Sequence, residues 1–234
     1  MTFESIAVLH SPYKEKFAVP RQPGLVPSAK ALLEILPPYD DINAFNGLDE
    51  FSHLWLVFVF HKNAQTNDWS PTVRPPRLGG NKRMGVFATR SPSRPNPIGL
   101  SLVEFHGIKQ ENGKIYLQLS NIDLVDGTPV VDIKPYIPYA DAKLHASAGF
   151  AQQTPESLMD VQFSVQAQEH IGLYKDSQPE LKQLIIEVLQ QDPRPAYKKN
   201  KPDSKVYAVH LLDFNISWVN EGQLTTVLSI ESRI

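Results

Sequence analysis

The residues best suited to chemistry form a cationic run in the first half of the chain. Between Pro71 and Val103 there is no Asp or Glu, but there are six cations: Arg74, Arg77, Lys82, Arg83, Arg90 and Arg94. Like charges repel, and the prolines between them stiffen the segment, so we expect it to bind a polyanion. Guanidinium groups bind phosphate at several points, which favours a nucleic acid over the alternative of a solvated face.

A second basic stretch lies towards the end of the chain. It comprises Arg194, Lys198, Lys199, Lys201 and Lys205, with Tyr197 among them and Asp203 as the opposing charge. Basic and aromatic residues together are typical of contact with an RNA backbone combined with base stacking. A solvated, lysine-rich loop has the same composition, so only the presence of the first run favours RNA binding here.

Carboxylates that could perform acid–base chemistry cluster at Asp123, Asp126 and Asp132. Asp126 precedes Gly127, and an Asp-Gly pair commonly stabilises a turn, so turn chemistry alone leaves a structural and a catalytic role equally open. The three carboxylates also allow a hydrolase that acts on a sugar or a nucleotide. The release of product without a second substrate would identify such an enzyme.

Composition excludes several classes of protein. With no cysteine and seven scattered histidines, the chain has no disulfide and no thiolate chemistry, and we expect no metal site. The longest apolar run, at residues 54–60, is far shorter than the roughly 18 residues that span a membrane, and residues 1–20 lack the core of a signal peptide. We therefore expect a cytoplasmic protein without membrane contact.

The elements that must position these residues are mostly strands. Runs rich in β-branched and aromatic residues predict strands at 5–9, 54–61, 84–90, 98–108, 114–121 and 129–136, and Asn112-Gly113 predicts a hairpin turn. Little helical periodicity precedes residue 150, which excludes a Rossmann sheet. We predict a mainly β protein with an N-terminal β-barrel at 1–145. A small C-terminal α+β domain at 156–234, with a helix near 179–190, is expected to contribute to nucleic-acid binding.

Five segments, in this order, resemble the TsaA/TrmO family. They are residues 11–24 (SPYKEKFAVPRQPG), 51–61 (FSHLWLVFVFH), 85–99 (GVFATRSPSRPNPIG), 123–129 (DLVDGTP) and 192–197 (DPRPAY). The resemblance implies a β-barrel methyltransferase that uses S-adenosylmethionine to methylate N6 of a threonylcarbamoyl-adenosine beside the anticodon of tRNA. It also implies a homodimer with the cofactor near the subunit boundary.

The resemblance assigns roles to residues by position. The implied cofactor contacts are Pro20, Arg21, Gln22, Pro23, His61, Lys62, Arg90, Leu100, Ser120, Asn121, Ile122 and Asp123. The expected contacts to the tRNA anticodon stem-loop are Arg74, Arg77, Arg83, Arg94, Arg194, Tyr197, Lys198 and Lys199. Asp126 is the first candidate for the proton acceptor, followed by Asn96 and Asp192. The main alternative is a non-catalytic RNA-binding β-barrel.

Overall fold

The structure is a computed structural model that describes residues 2–63, 69–155, 159–195, 198 and 203–233. It divides into two compact units whose segments alternate along the chain. The first unit comprises Met1–His10, Ala31–Ser120 and Gly127–Pro155, and the second comprises Ser11–Lys30, Asn121–Asp126 and Glu156–Ile234. The domains predicted from the sequence are contiguous, at 1–145 and 156–234. In the structure, residues 11–30 and 121–126 group with the C-terminal residues.

The first unit is built on a closed antiparallel sheet of six strands. They are β1 (Ala7–His10), β2 (Ala31–Ile35), β3 (His53–Val59), β6 (Ile98–Glu111), β7 (Lys114–Ser120) and β8 (Thr128–Pro135). Their order is β1-β2-β7-β6-β3-β8, and β8 pairs back onto β1. Asn112 and Gly113 join β6 to β7 with positive φ at both residues, as the predicted hairpin requires. The mainly β class is confirmed.

Alternation along the strands forms the interior of this sheet. On β3 the side chains of Leu54, Leu56 and Phe58 point inward and are buried, whereas the residues between them are half-buried on the outer face. Two further strands, β4 (Thr72–Val73) and β5 (Met84–Gly85), form a small separate ribbon. A single-turn helix, α1 (Pro138–Asp141), follows β8.

The second unit pairs a sheet with two helices. The sheet has the order β10-β11-β12-β9, in which β9 (Asp160–Phe163) runs parallel to β12 (Leu224–Ser232), and β10 (Asp203–Leu211) and β11 (Phe214–Glu221) are antiparallel. The helices are α2 (Val165–Leu173) and α3 (Leu181–Gln190). The helix predicted near 179–190 is confirmed as α3, on which apolar residues at helical spacing form a buried stripe: Leu181, Leu184, Ile185, Val188 and Leu189. None of the helices described here is long and apolar enough to span a membrane.

Candidate functional site

All six cations of the run lie within residues 69–97, a segment that contains the β4–β5 ribbon and is called the arm below. Thr72 pairs with Gly85 and Val73 with Met84, so Arg74 leaves one strand where Arg83 enters the other. Both of these arginines are exposed, as are Arg77, Lys82 and Arg90. The ion pairs found among the described residues involve neither Arg74 nor Arg83. The arm therefore concentrates guanidinium groups at one end of a short ribbon.

Two of the predicted tRNA contacts on this arm have structural partners of their own. Arg94 is half-buried and donates from Nη1 to the carbonyls of Thr89 and Ser91, at 3.0 and 3.2 Å. Arg77 donates to the carbonyl of Gln153. Arg94 thus shapes the arm, whereas Arg74 and Arg83 present their charge outward. Asn96 is exposed further along the arm.

His61, one of the implied cofactor contacts in the first unit, follows β3. His61 is exposed, but the desolvation of part of its ring and, next, the charge of Lys62 lower its pKa below the usual value near 6.5, which favours the neutral imidazole at pH 7. A Cβ placed on Gly127, where φ is +77°, would lie 4.0 Å from Nε2 of His61. The glycine leaves space beside an imidazole that can accept a hydrogen bond.

Leu100 offers a different kind of surface, because its side chain is 53% exposed on the outer face of β6. It pairs with Val57 on β3, and Ile98, two residues earlier, is also exposed on that face. An exposed aliphatic side chain of this size can pack against a flat heterocycle such as adenine. Arg90 is exposed in the loop that precedes β6.

Ser120, at the end of β7, holds a hydrogen-bond network. Its hydroxyl donates to Oε2 of Glu104 at 3.0 Å and lies 2.7 Å from Nε2 of His106, which therefore acts as the donor. A catalytic Ser-His-carboxylate triad has the histidine between the other two, whereas here the serine, only 4% exposed, is in the middle. The network fixes the strand end that leads into Asn121, rather than activating a nucleophile.

Asp126 closes a turn in the second unit. Its Oδ1 accepts a hydrogen bond from the backbone N–H of Ser11 at 2.9 Å, and its Oδ2 lies 3.1 Å from Nζ of Lys14. The backbone N–H of Asp126 donates to the carbonyl of Tyr13 at 2.8 Å. The carboxylate therefore joins residues 11–14 to residues 121–126, a structural role that differs from the local Asp-Gly turn considered from the sequence. It stays partly exposed, so a further contact is open to it.

Asp192 and Arg194 form a buried pair in the second unit. Arg194 donates from Nε and Nη2 to the two oxygens of Asp192, at 2.7 and 3.0 Å, and both residues are only 2% exposed. Neither side chain presents accessible atoms to a macromolecule in this conformation. This placement does not favour the predicted roles of Asp192 as proton acceptor and of Arg194 as phosphate contact, because each satisfies the charge of the other.

Of the other tRNA contacts predicted near Arg194, the structure describes Lys198. Tyr197 and Lys199 lie outside the described residues. The backbone N–H of Lys198 donates to the carbonyl of Pro195 at 2.8 Å. Their predicted contacts with tRNA stay predictions.

The segment at Pro20–Pro23 belongs to the second unit, in which Ser28, a few residues further along the chain, is hydrogen-bonded to α3. Glu187 on α3 accepts from the backbone N–H and the hydroxyl of Ser28, at 2.9 and 2.7 Å. Burial lowers the pKa of Arg21, and the charge of Asp192 opposes that shift. Glu187 is not among the residues predicted from the sequence. Its place on the polar side of the predicted helix was the only sequence feature that indicated a contact there.

The segment Asn121–Asp123 also lies in the second unit, where one predicted contact is enclosed. Ile122 is 1% exposed, so its side chain belongs to the core and a contact with a ligand would come from its backbone. Tyr13 is fully buried, and burial, followed by the charges of Asp123 and Glu187, raises the pKa of its hydroxyl well above 10. No group of three or more potential metal ligands occurs within the described part of the chain.

Comparison with known proteins gives matches along nearly the whole chain. The model of the tRNA-methyltransferase O N-terminal domain matches residues 8–142, and that of the TrmO C-terminal domain matches residues 156–233. A tRNA (adenine(37)-N6)-methyltransferase of Escherichia coli (strain K12) is 55% identical over 231 residues, which cover 99% of this chain and 98% of that protein. The human tRNA (adenine(37)-N6)-methyltransferase is 42% identical over 71% of this chain and 35% of its own length.

A curated relative and a solved structure from Pseudomonas aeruginosa are also similar. A putative S-adenosylmethionine-dependent methyltransferase, RcsF, is 48% identical over 91% of this chain and 90% of its own length. A crystal structure of TrmO superimposes with a TM-score of 0.81 at 38% identity, covering 99% of this chain and 98% of that one. The fold and the sequence therefore match along the same span.

Proposed function

Because this chain belongs to the tRNA-methyltransferase O family, we propose that it is an S-adenosylmethionine-dependent methyltransferase that modifies N6 of an adenine in tRNA. The observation that carries the proposal is the 55% identity to the Escherichia coli tRNA (adenine(37)-N6)-methyltransferase along 98% of that enzyme. We place the target beside the anticodon and assign it as a threonylcarbamoyl-adenosine, as the quoted motifs imply. A non-catalytic RNA-binding protein would need only the cationic arm.

The exposed arginines of the arm support a tRNA substrate. Arg74 and Arg83 lie at the same end of the β4–β5 ribbon, and no acidic residue occurs between Pro71 and Val103. Such a surface neutralises backbone phosphates and releases their counterions. In this proposal Arg74 and Arg83 contact phosphate directly from the end of the ribbon, and Arg94 stabilises the loop at residues 89–94 of the same arm.

The residues of the first unit fit S-adenosylmethionine by their chemistry. Leu100 offers an exposed apolar surface to the adenine, and Arg90 provides a cation for the methionine carboxylate. The neutral imidazole of His61 can accept a hydrogen bond from an amino group of S-adenosylmethionine. In the second unit, Arg21 is a further candidate for the carboxylate.

When bound, S-adenosylmethionine supplies a methyl group that its sulfonium has already activated. The protein must therefore chiefly orient N6 in line with that methyl group and exclude water. Orientation can lower a barrier by up to roughly 7–11 kcal/mol, whereas a general base typically contributes about 10²–10⁴-fold in rate. We therefore expect positioning to account for most of the rate enhancement, with a proton acceptor adding the remainder.

Asp126 is our choice of proton acceptor for N6. Each of its carboxylate oxygens already has one partner, Ser11 or Lys14, but a carboxylate oxygen can accept more than one hydrogen bond. Those partners fix the orientation of the carboxylate. A general base needs a fixed orientation when the reaction depends on the alignment of its reactants. Asn96 is exposed and is retained as the second candidate, ahead of the enclosed Asp192.

We also propose that the protein acts as a homodimer. The outer face of the paired strands β3 and β6 carries Val57 opposite Leu100 and Val59 opposite Ile98. An apolar face of this kind is typical of a surface that associates with another protein. Sedimentation of the purified protein, with Ile98→Asp as the disrupting variant, tests this point separately from catalysis.

The test of the proposed function is methyl transfer from labelled S-adenosylmethionine to tRNA that contains threonylcarbamoyl-adenosine, followed by mass analysis of the nucleosides. A gain of one methyl group on that nucleoside is the expected result. Calorimetric titration with S-adenosylmethionine in the presence of tRNA provides the control. No binding and no methylation would favour the non-catalytic RNA-binding protein, and product release without a methyl donor would favour the hydrolase.

A further inference from the structure

Two large aromatic side chains lie exposed on the cationic arm. Trp69 is 50% exposed and Phe87 is 73% exposed, whereas Trp218 is fully buried and Phe58 is 4% exposed. Exposed aromatic surface is unfavourable in water, and single exposed residues are common. Two exposed aromatic side chains in contact on a structured segment are a stronger indication of a binding site than one such side chain.

The pair is held by the ribbon that carries the arginines. The ring centroids of Trp69 and Phe87 are 6.1 Å apart with an angle of 37° between the planes, within the range of aromatic contact. Between them along the chain, β4 pairs with β5, and the N–H of Val86 donates to the carbonyl of Pro71 at 2.9 Å. The turn at Val86–Ala88 is closed by the hydroxyl of Thr89, which donates to the carbonyl of Val86 at 2.8 Å. The rings are thus presented by hydrogen-bonded backbone.

The charges around the pair indicate what covers it. Phe87 lies between Arg83 and Arg90, in a stretch without any acidic residue. If a second copy of this chain docked here around a two-fold axis, it would place two such acid-free stretches against each other, which repel. A single-stranded nucleic acid brings both phosphates for the cations and flat bases for the rings.

We propose that Trp69 and Phe87 form a stacking platform for one unpaired base of the tRNA anticodon loop. Phe87, the more exposed ring, contacts the base directly, and Trp69 supports it from the side. This inference rests on the proposed function, which it deepens by assigning the residues that distinguish a loop from a base-paired stem. Arg74 and Arg83 serve both kinds of RNA, because phosphates are common to them.

The test measures the affinity of the full-length protein for two RNAs: an anticodon stem-loop and a duplex of the same length that has no unpaired base. Phe87→Ala should weaken binding of the stem-loop about 5- to 150-fold, the usual effect of losing one stacked base, and leave the duplex unchanged. Phe87→Tyr keeps the ring and should restore the affinity, whereas Phe87→Leu keeps the apolar volume without a ring and should not. Trp69→Ala should act in the same direction as Phe87→Ala.

The matched control is Tyr139→Ala, because Tyr139 is 87% exposed in the same unit but outside the arm. It should leave both affinities unchanged. Thermal denaturation checks that every variant folds, and replacing single loop nucleotides by abasic residues should reveal one position at which Phe87→Ala has no further effect. That position identifies the stacked base.

Four outcomes would overturn the platform. They are unchanged stem-loop affinity in Phe87→Ala and Trp69→Ala, equal weakening of stem-loop and duplex, equal stem-loop affinity of Phe87→Leu and Phe87→Tyr, or a loss of dimer in sedimentation with RNA affinity intact. The last would assign the rings to a second copy. The wild-type protein reports separately on the proposed function: if it does not methylate tRNA, that function fails, whatever the variants do.

Discussion

At the scale of single residues, the protonation state of His61 decides which hydrogen bonds it can make. The desolvation of part of its ring and the charge of Lys62 lower its pKa in the folded protein. As the pH drops below about 6.5 the unfolded chain therefore binds a proton before the folded chain does, and the stability of the fold falls until the pH passes the lowered pKa of His61, below which this contribution no longer changes. A neutral imidazole is also the form that can accept a hydrogen bond from a ligand.

We therefore expect the wild-type protein to lose thermal stability between pH 7 and pH 5 more steeply than His61→Gln, which cannot titrate. Thermal unfolding followed by circular dichroism across that range measures the difference. His145→Gln removes an exposed histidine and provides the control. Identical slopes for wild type and His61→Gln would contradict the assignment of a neutral His61.

Asp126 combines a structural and a proposed catalytic role, and two substitutions separate them. Asp126→Asn keeps an oxygen for the N–H of Ser11 but loses the negative charge, so we expect near-normal stability and a loss of turnover of about 10²–10⁴-fold. Asp126→Ala leaves that N–H without its partner and should also cost about 1–3 kcal/mol in the free energy of unfolding. Single-turnover methylation and urea unfolding measure the two effects.

The control for Asp126 is Asp132→Asn, because Asp132 forms a surface pair with Lys134 at 2.9 Å and has no proposed catalytic role. It should leave turnover unchanged. Normal turnover in Asp126→Asn would reduce Asp126 to a residue that holds its turn.

At the scale of elements, the pairing of β3 with β6 explains a glycine of the 85–99 motif. Gly99 lies opposite Phe58, and a Cβ there would lie 2.6 Å from Cε1 of that ring. Gly99→Ala should therefore destabilise the protein by about 1–3 kcal/mol, because the ring must shift in a packed interior. Adding Phe58→Leu should cost less than the sum of the two single substitutions, since the leucine removes the overlap.

Gly85→Ala is the matched control for Gly99, because nothing lies within 4 Å of a Cβ at that position. Its effect should stay within about 0.5 kcal/mol in urea unfolding. Additive costs for Gly99→Ala and Phe58→Leu would mean that the glycine is required for another reason.

The buried pair of Asp192 and Arg194 is the corresponding feature of the second unit. Asp192→Ala leaves the guanidinium buried without its carboxylate and should cost about 3–5 kcal/mol in the free energy of unfolding. Because removing both charges avoids that penalty, the double variant Asp192→Ala/Arg194→Ala should be more stable than Asp192→Ala alone. Urea unfolding measures both variants, and a double variant that is less stable than the single one would contradict the argument.

The elements that could be predicted from sequence are those whose pattern is local. The β-branched and aromatic run at residues 54–60, the Asn112-Gly113 turn and the helical spacing of the apolar residues of α3 each determine their own element. The hydrogen bond between Ser28 and Glu187 joins residues 159 positions apart. A local sequence pattern therefore cannot predict that residues 11–30 belong to the second unit. For the same reason the composition of residues 192–197 suggested RNA contact, whereas Asp192 and Arg194 are enclosed together.

At the scale of the whole molecule, a formal net charge of −2 conceals a strong separation of charge along the chain. The long-range attraction of a polyanion depends on local potential rather than on net charge, so an acid-free arm can bind tRNA on a slightly acidic protein. The salt dependence of binding reports how many of those cations contact phosphate. It therefore tests the molecule at this scale.

Arg83→Ala should weaken tRNA binding at low salt and reduce the slope of log Kobs against log salt by about 0.7–0.9, the contribution of one phosphate contact. Lys109→Ala is the matched control, because Lys109 pairs with Glu111 at 3.0 Å at the far end of β6 and lies outside the arm. Filter binding between 50 and 200 mM salt, a range over which such contacts change affinity by orders of magnitude, measures both slopes. If the slope of Arg83→Ala equals that of the wild type while Lys109→Ala also leaves it unchanged, Arg83 does not contact phosphate and the arm binds tRNA through its other cations.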